Sequence, residues 1–179
     1  MRKIITEKED GYNFYIIEVI VANQLEIQVG SLLQAHKWKL VLAESCTGGL
    51  LGSRITDVPG SSEYFLGGIV AYAYEAKADL LGVSWDTLNS KGAVSRETVL
   101  EMARGVRARL KADIAVSVSG IAGPGGATPE KPVGTTWIGL VTPDTEQAEL
   151  FQFSGDREAN KVYAVDAALQ LMLDYLESK

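Results

Sequence analysis

Cysteine and histidine are almost missing from this chain: Cys46 and His36 are the single copies in 179 residues. One cysteine excludes an intrachain disulfide, one histidine leaves no cluster with zinc-ligand spacing, and the shortage suits a reducing, cytoplasmic setting. An excess of positive charge is missing too. With 17 Lys and Arg against 23 Asp and Glu the formal charge is −6, so neither a nucleic-acid backbone nor an anionic membrane has a general electrostatic hold on the chain. No apolar run approaches the roughly 18 residues of a membrane-spanning helix. Acids break up the opening MRKIITEKEDGYN, unlike a signal peptide. Low-complexity tracts and fixed-period repeats are absent. What remains fits one domain that buries roughly 70% of its unfolded surface, with no metal, cofactor, nucleic acid or membrane expected.

Hydrophobic periodicity lays out the elements. Val29, Leu32 and Leu33 share one face of a helix from Leu25 to His36, and Leu40 to Ala43 is short enough for a buried strand. The turn Glu44-Ser45-Cys46-Thr47-Gly48-Gly49 follows, and Leu50, Leu51 and Ile55 then suggest a helix that stops before Pro59. Gly67 to Tyr72 reads as a second strand, and Glu75 to Leu81 as a helix closed by Gly82. Ser95 is a good N-cap for a helix with Val99, Met102, Ala103 and Val106 on one face. Strands Asp113 to Ser119, Thr135 to Val141 and Ala148 to Phe153 and a helix from Glu158 to Glu177 complete the pattern, with a long glycine loop from Gly120 to Gly134. Alternating helices and strands predict a three-layer α/β/α sandwich with a mostly parallel sheet, made mixed if the last two strands pair as a hairpin. Residues 1–24 stand apart as an extension, either a helix packing on a neighbour or an ordered tail, ahead of a domain over 25–179.

Two glycine-rich turns carry the candidate chemistry. In the first, the amides of Cys46 to Gly49 open a helix and offer an anion site. Ser45 stands where a nucleophile gains from the next amide as an oxyanion donor, although Ser45 or Thr47 could equally serve only to cap the helix. A serine needs a base. His36 sits near the end of the preceding helix, so a Ser-His-Asp triad is not expected, and a thiol enzyme built on Cys46 lacks a base for the same reason. Lysine can substitute if its pKa falls by about 3 units, at a cost of roughly 4 kcal/mol. Lys77, between Ala76 and Ala78, is the best placed, against the alternative of a solvated lysine beside Glu75 and Asp79. The second turn, S-G-I-A-G-P-G-G, lets main chain approach a ligand but fits neither a P-loop nor G-x-G-x-x-G. Arg157, in Gly155-Asp156-Arg157, either binds a phosphate or pairs with Asp156.

Taken in order, A-E-S-C-T-G-G, G-G-x-V-A-Y-x-x-E-A-K, G-A-V-S, S-G-I-A-G-P-G-G-x-T-x-x-K-P-V-G-T and G-D-R resemble the CinA C-terminal domain family over about Leu25 to Leu176. The family's characterised activity is nicotinamide mononucleotide amidohydrolase. The resemblance implies a metal-independent Ser-Lys mechanism that gives nicotinate mononucleotide and ammonia in pyridine nucleotide salvage, with a small nucleotide as partner and self-association left open. It places the nucleophile on Ser45, the base on Lys77 and a catalytic tyrosine on Tyr72. Oxyanion donors fall on Cys46, Thr47 and Gly48, and substrate contacts on Gly120, Ala122, Gly123, Gly125, Gly126, Thr128 and Arg157. Where the family usually reads Y-S-N-E-A-K or Y-T-N-E/D-A-K, this chain has Tyr72-Ala73-Tyr74-Glu75-Ala76-Lys77. The alternative is a nucleotide-binding member that this change has deprived of turnover. Larger members carry an N-terminal domain with its own hydrolytic activity. The 24 residues before Leu25 are too short for it, so that second activity is expected to be absent.

Overall fold

The computed structural model describes residues 2–9, 12–19 and 25–179. Strands β1 (Arg2–Glu9) and β2 (Tyr12–Val19) pair antiparallel as a two-stranded sheet, from Arg2 opposite Val19 to Glu9 opposite Tyr12. The helix alternative for the extension is thereby corrected: Ile-Ile-Thr and Phe-Tyr-Ile-Ile are runs of β-branched and aromatic residues, which favour a pleated strand over a helix. The rest of the extension lies outside the described residues.

From Leu25 onward the order is α1 (Leu25–His36), β3 (Leu40–Glu44), α2 (Leu50–Thr56), β4 (Phe65–Val70), α3 (Tyr74–Leu81), α4 (Trp85–Lys91), α5 (Arg96–Leu110), β5 (Ile114–Gly120), β6 (Thr135–Val141), β7 (Glu146–Gln152) and α6 (Arg157–Glu177). The sheet runs β4-β3-β5-β6-β7. Its first three strands are parallel, while β6 and β7 run antiparallel to their neighbours. Both faces are covered. Leu40, Leu42, Ile114, Val116, Val118, Ile138 and Leu140 pack with α1, α2 and α6 in one core. Val41, Ala43, Ala115 and Val141 pack with residues of α3, α4 and α5 in the other. Strands buried on both faces read as continuous apolar runs, which is why β3 and β5 were recognisable without alternation.

Three boundaries move. The edge strand β4 begins two residues before Gly67 and ends at Val70. Ala71 N–H still bonds to Glu44 O at 2.8 Å, after which the chain leaves the sheet with Tyr72 at its rim. Strand β7 starts at Glu146, just past the Pro143-Asp144 turn. Helix α4 was unread because its seven residues bury only Leu88, too few for a periodic stripe; Ser84 caps it, accepting from Asp86 N–H at 3.1 Å. The decisive consequence for function is that β3, β4 and β5 all present their carboxyl ends at one edge, the usual place for a site in an open α/β sheet.

Candidate active site

Ser45 leaves the end of β3 with its N–H still on Val118 O at 2.9 Å, and the turn is closed by Gly48 N–H donating to Ser45 O at 3.1 Å. Gly48 and Gly49 have φ of +64° and +97°, left-handed values that a side chain would penalise. Neither Ser45 nor Thr47 caps α2. The buried carboxylate of Glu44 does, accepting from Gly49 N–H at 3.0 Å, Leu51 N–H at 3.1 Å and Gly52 N–H at 2.8 Å, where the helix N-terminus favours an anion. This removes Gly48 from the expected oxyanion donors, because its amide is spent inside the turn. The N–H groups of Cys46 and Thr47 have no oxygen acceptor among the described residues. They face the Cys46 thiol and pull its pKa down, while burial, the larger effect, pushes it up to about 11. A thiol held protonated at neutral pH is a poor nucleophile. His36 gives it no help, its ring lying against Trp38 at a tilt of 35° with centroids 5.3 Å apart.

Lys77 faces inward. Its side chain is 0% exposed, whereas Glu75 and Asp79 lie in solvent, so the solvated alternative is overturned. Lys77 shares the buried face of α3 with Leu81, one turn on. Its Nζ lies 2.9 Å from Ser45 Oγ, 2.7 Å from Ala71 O and 3.1 Å from Tyr72 O. Among the described residues no carboxylate pairs with it. Burial lowers its pKa from 10.5 to about 8, an effect that charge on Cys46 opposes when the thiol ionises. A neutral amine has two N–H donors and one lone pair. With both carbonyls accepting the donors, the lone pair is left for the Ser45 hydroxyl proton.

The structure sets the other expected residues around a cleft of about 230 Å³. Gly120, Ala122, Gly123, Gly125, Gly126 and Arg157 line it with Ser45, Cys46, Tyr72 and Lys77. Gly120 has to be a glycine, since a Cβ there would meet Thr136 Oγ1 at 2.4 Å. Arg157 is the first residue of α6. Asp156 caps that helix through Ala159 N–H at 2.9 Å, which answers the alternative that the two residues pair. The guanidinium donates instead to Gly123 O at 2.7 Å and to the Tyr72 hydroxyl at 3.1 Å. The Tyr72 phenol, 61% exposed, therefore sits on Arg157, while its main-chain carbonyl is what touches Lys77. Thr128 is not in this cleft. It lies in an adjoining hollow of about 240 Å³ with Tyr74, Gly92 and Lys131.

Two contributors escaped the sequence reading. Glu44 carried a signal, an acid one residue before a serine turn that ends in Gly-Gly. Asn160 is buried and joins the glycine loop to the Gly155 turn, donating to Ala122 O at 3.1 Å and Gly155 O at 2.8 Å and accepting from Gly155 N–H at 2.9 Å. An Asn in line with Ala164 and Ala168, at four-residue spacing, was the legible sign of a buried polar clamp. Ser119 fixes the opposite wall, its hydroxyl donating to Ala93 O at 2.8 Å.

Known proteins resemble this chain over most of its length. A nicotinamide-nucleotide amidohydrolase, PncC, from Enterobacter agglomerans is 50% identical over 152 residues, covering 84% of this chain and 93% of that protein. A CinA-like protein from Chlorobaculum tepidum is 48% identical over 183 residues, 93% of this chain but only 43% of its own length. The chain thus spans about two fifths of that longer relative. The crystal structure of a competence-damaged protein (CinA) superfamily protein from Klebsiella pneumoniae superposes with a TM-score of 0.85 at 34% identity, covering 88% of this chain and all of that one. The family model described as the CinA C-terminal domain matches residues 22–176, and with the sandwich and its cleft on the page, this chain belongs to the CinA C-terminal domain family.

Proposed function

We propose that this chain is an amidohydrolase that converts nicotinamide mononucleotide to nicotinate mononucleotide and ammonia, with Ser45 as nucleophile and Lys77 as its base. The observation that carries the reading is Lys77 Nζ, fully buried, without a carboxylate partner among the described residues and 2.9 Å from Ser45 Oγ. The printed name of the Enterobacter agglomerans relative supports the substrate.

The chemistry runs in two halves. Neutral Lys77 takes the Ser45 proton as Oγ bonds to the carboxamide carbon, and the oxygen that gains charge meets the Cys46 and Thr47 amides. The C–N bond then breaks, and the Lys77 ammonium returns its proton to the departing nitrogen, leaving an ester on Ser45. Water attacks that ester, Lys77 takes the water proton, and the Ser45 oxygen leaves with it. With a pKa of about 8, about a tenth of the lysine is neutral at pH 7. Arg157 and the glycine loop would hold the phosphate, Arg157 because among the described residues its guanidinium is engaged only by neutral oxygens.

The test is ammonia release from nicotinamide mononucleotide. Ser45→Ala should lose at least about 10³-fold in rate while Cys46→Ala keeps most of it. The reverse pattern would move the nucleophile to the thiol. A wild-type protein that binds the mononucleotide without releasing ammonia would be the non-catalytic member instead.

A further inference from the structure

The hollow beside the reaction cleft has no part in the steps above. It is walled in part by Ala93, Val94, Ile121 and Gly126, which also line the cleft, so the two adjoin along those residues. Three polar side chains converge on it. Lys131 Nζ spends one bond on Lys91 O at 2.8 Å and forms no ion pair among the described residues. Two of its three donors are therefore unspent. The Tyr74 hydroxyl accepts from Ala93 N–H at 3.2 Å, and the Thr128 hydroxyl accepts from Lys131 N–H at 3.1 Å. Both keep their own O–H to give.

Gly92 leaves the space between them open. A Cβ built there would stand 3.7 Å from Lys131 Nζ and 3.7 Å from the Tyr74 hydroxyl, so the cation and the phenol face the same small volume. A donor set of one ammonium and two hydroxyls, with no acid facing it, suits a phosphoryl group.

We propose that this hollow is a second anion subsite, in which Lys131, Tyr74 and Thr128 hold the second phosphoryl group of a pyridine nucleotide larger than the mononucleotide. The proposal rests on reading the Ser45 cleft as a nucleotide site, with Arg157 on the first phosphate.

Calorimetric titration with nicotinamide mononucleotide and with nicotinamide adenine dinucleotide, in the Ser45→Ala background so that the mononucleotide is not consumed, tests it without relying on turnover. Lys131→Met should weaken the dinucleotide at least fivefold more than it weakens the mononucleotide. Tyr74→Phe, which keeps the ring and removes only the hydroxyl, should move the same ratio in the same direction by a smaller factor. Equal weakening of both ligands would mean that the hollow takes the mononucleotide's own phosphate, and would overturn the proposal. An unchanged ratio in both variants would reduce Lys131 to a cap on the C-terminal carbonyls of α4, and wild-type protein that fails to bind the dinucleotide would refute it outright. Turnover separates the two readings: a protein that discriminates the dinucleotide but releases no ammonia loses the amidase and keeps the subsite, and one that releases ammonia without discrimination does the opposite.

Discussion

Replacing Lys77 by methionine makes the charge state of this lysine measurable as a stability. In the unfolded chain the amine keeps its proton up to about pH 10.5, whereas in the folded protein burial releases it near pH 8. Between those values the unfolded state binds more protons, so stability rises with pH. Below pH 8 both states are protonated and the fold bears the whole cost of an ammonium shut away from water. A drop from 10.5 to about 8 corresponds to about 3 kcal/mol at about 1.4 kcal/mol per tenfold change. Lys77→Met removes that cost. It also strips a donor from the carbonyls of Ala71 and Tyr72, which costs about 1–3 kcal/mol for each that stays buried and unpaired. The two effects oppose each other at pH 7, so the informative quantity is the slope. The stability of wild type minus that of Lys77→Met should climb by about 3 kcal/mol from pH 7 to pH 10.5. Groups remote from Lys77 are common to both proteins and cancel in the difference. Urea unfolding at several pH values reads it directly. A difference that stays flat within about 0.5 kcal/mol across that range would refute the reasoning: Lys77 would titrate alike folded and unfolded, and would be almost wholly protonated at neutral pH.

Further outcomes follow from the same geometry. Ammonia release should rise with pH on a limb centred near pH 8, set by Lys77, and Lys77→Arg should be as inactive as Lys77→Met because a guanidinium keeps its proton; an active Lys77→Arg enzyme would demote the lysine to an electrostatic role. In steady-state assays, kcat/KM should fall from nicotinamide mononucleotide to its riboside to free nicotinamide, and Arg157→Ala should penalise the mononucleotide strongly while barely touching the riboside; equal rates for all three would remove phosphate recognition from the scheme. Glu44→Gln turns one of two acceptor oxygens into a donor facing α2 amides, and should lower stability by about 1–3 kcal/mol in urea titrations and depress kcat more than KM, since the turn that carries Ser45 hangs from that carboxylate. Unchanged stability would mean that the α2 amides find another acceptor.

Local pattern alone exposed much of this protein. Buried-type apolar runs marked β3 and β5, and four-residue spacing marked the buried face of α5. The Ser-Cys-Thr-Gly-Gly turn declared itself because a strand that feeds a helix through two left-handed residues needs glycine there, and that need is local. The same holds for Gly82 after α3, which caps the helix at φ +70°. These features depend on neighbours within a turn or two of the chain.

What tertiary structure decided was every pairing across long sequence separation. Composition could not say whether Lys77 is solvated or buried, because that depends on α3 lying with its Lys77–Leu81 face against the end of β3, 32 residues away from Ser45 in the chain. The strand order β4-β3-β5-β6-β7 brings Ser45, Tyr72 and Ser119 to one rim, and no periodicity encodes it. Whether Ser45, Thr47 or Glu44 caps α2 turned on which side chain folds back over the turn, a choice made by the burial of β3. Likewise Arg157 meets Tyr72 across 85 residues, and Asn160 meets Ala122 across 38. The sequence by itself determined which residues can turn, cap or be buried. Only packing determined which of them share a cleft, because low dielectric and hydrogen-bond geometry belong to the assembled neighbours and not to any one segment.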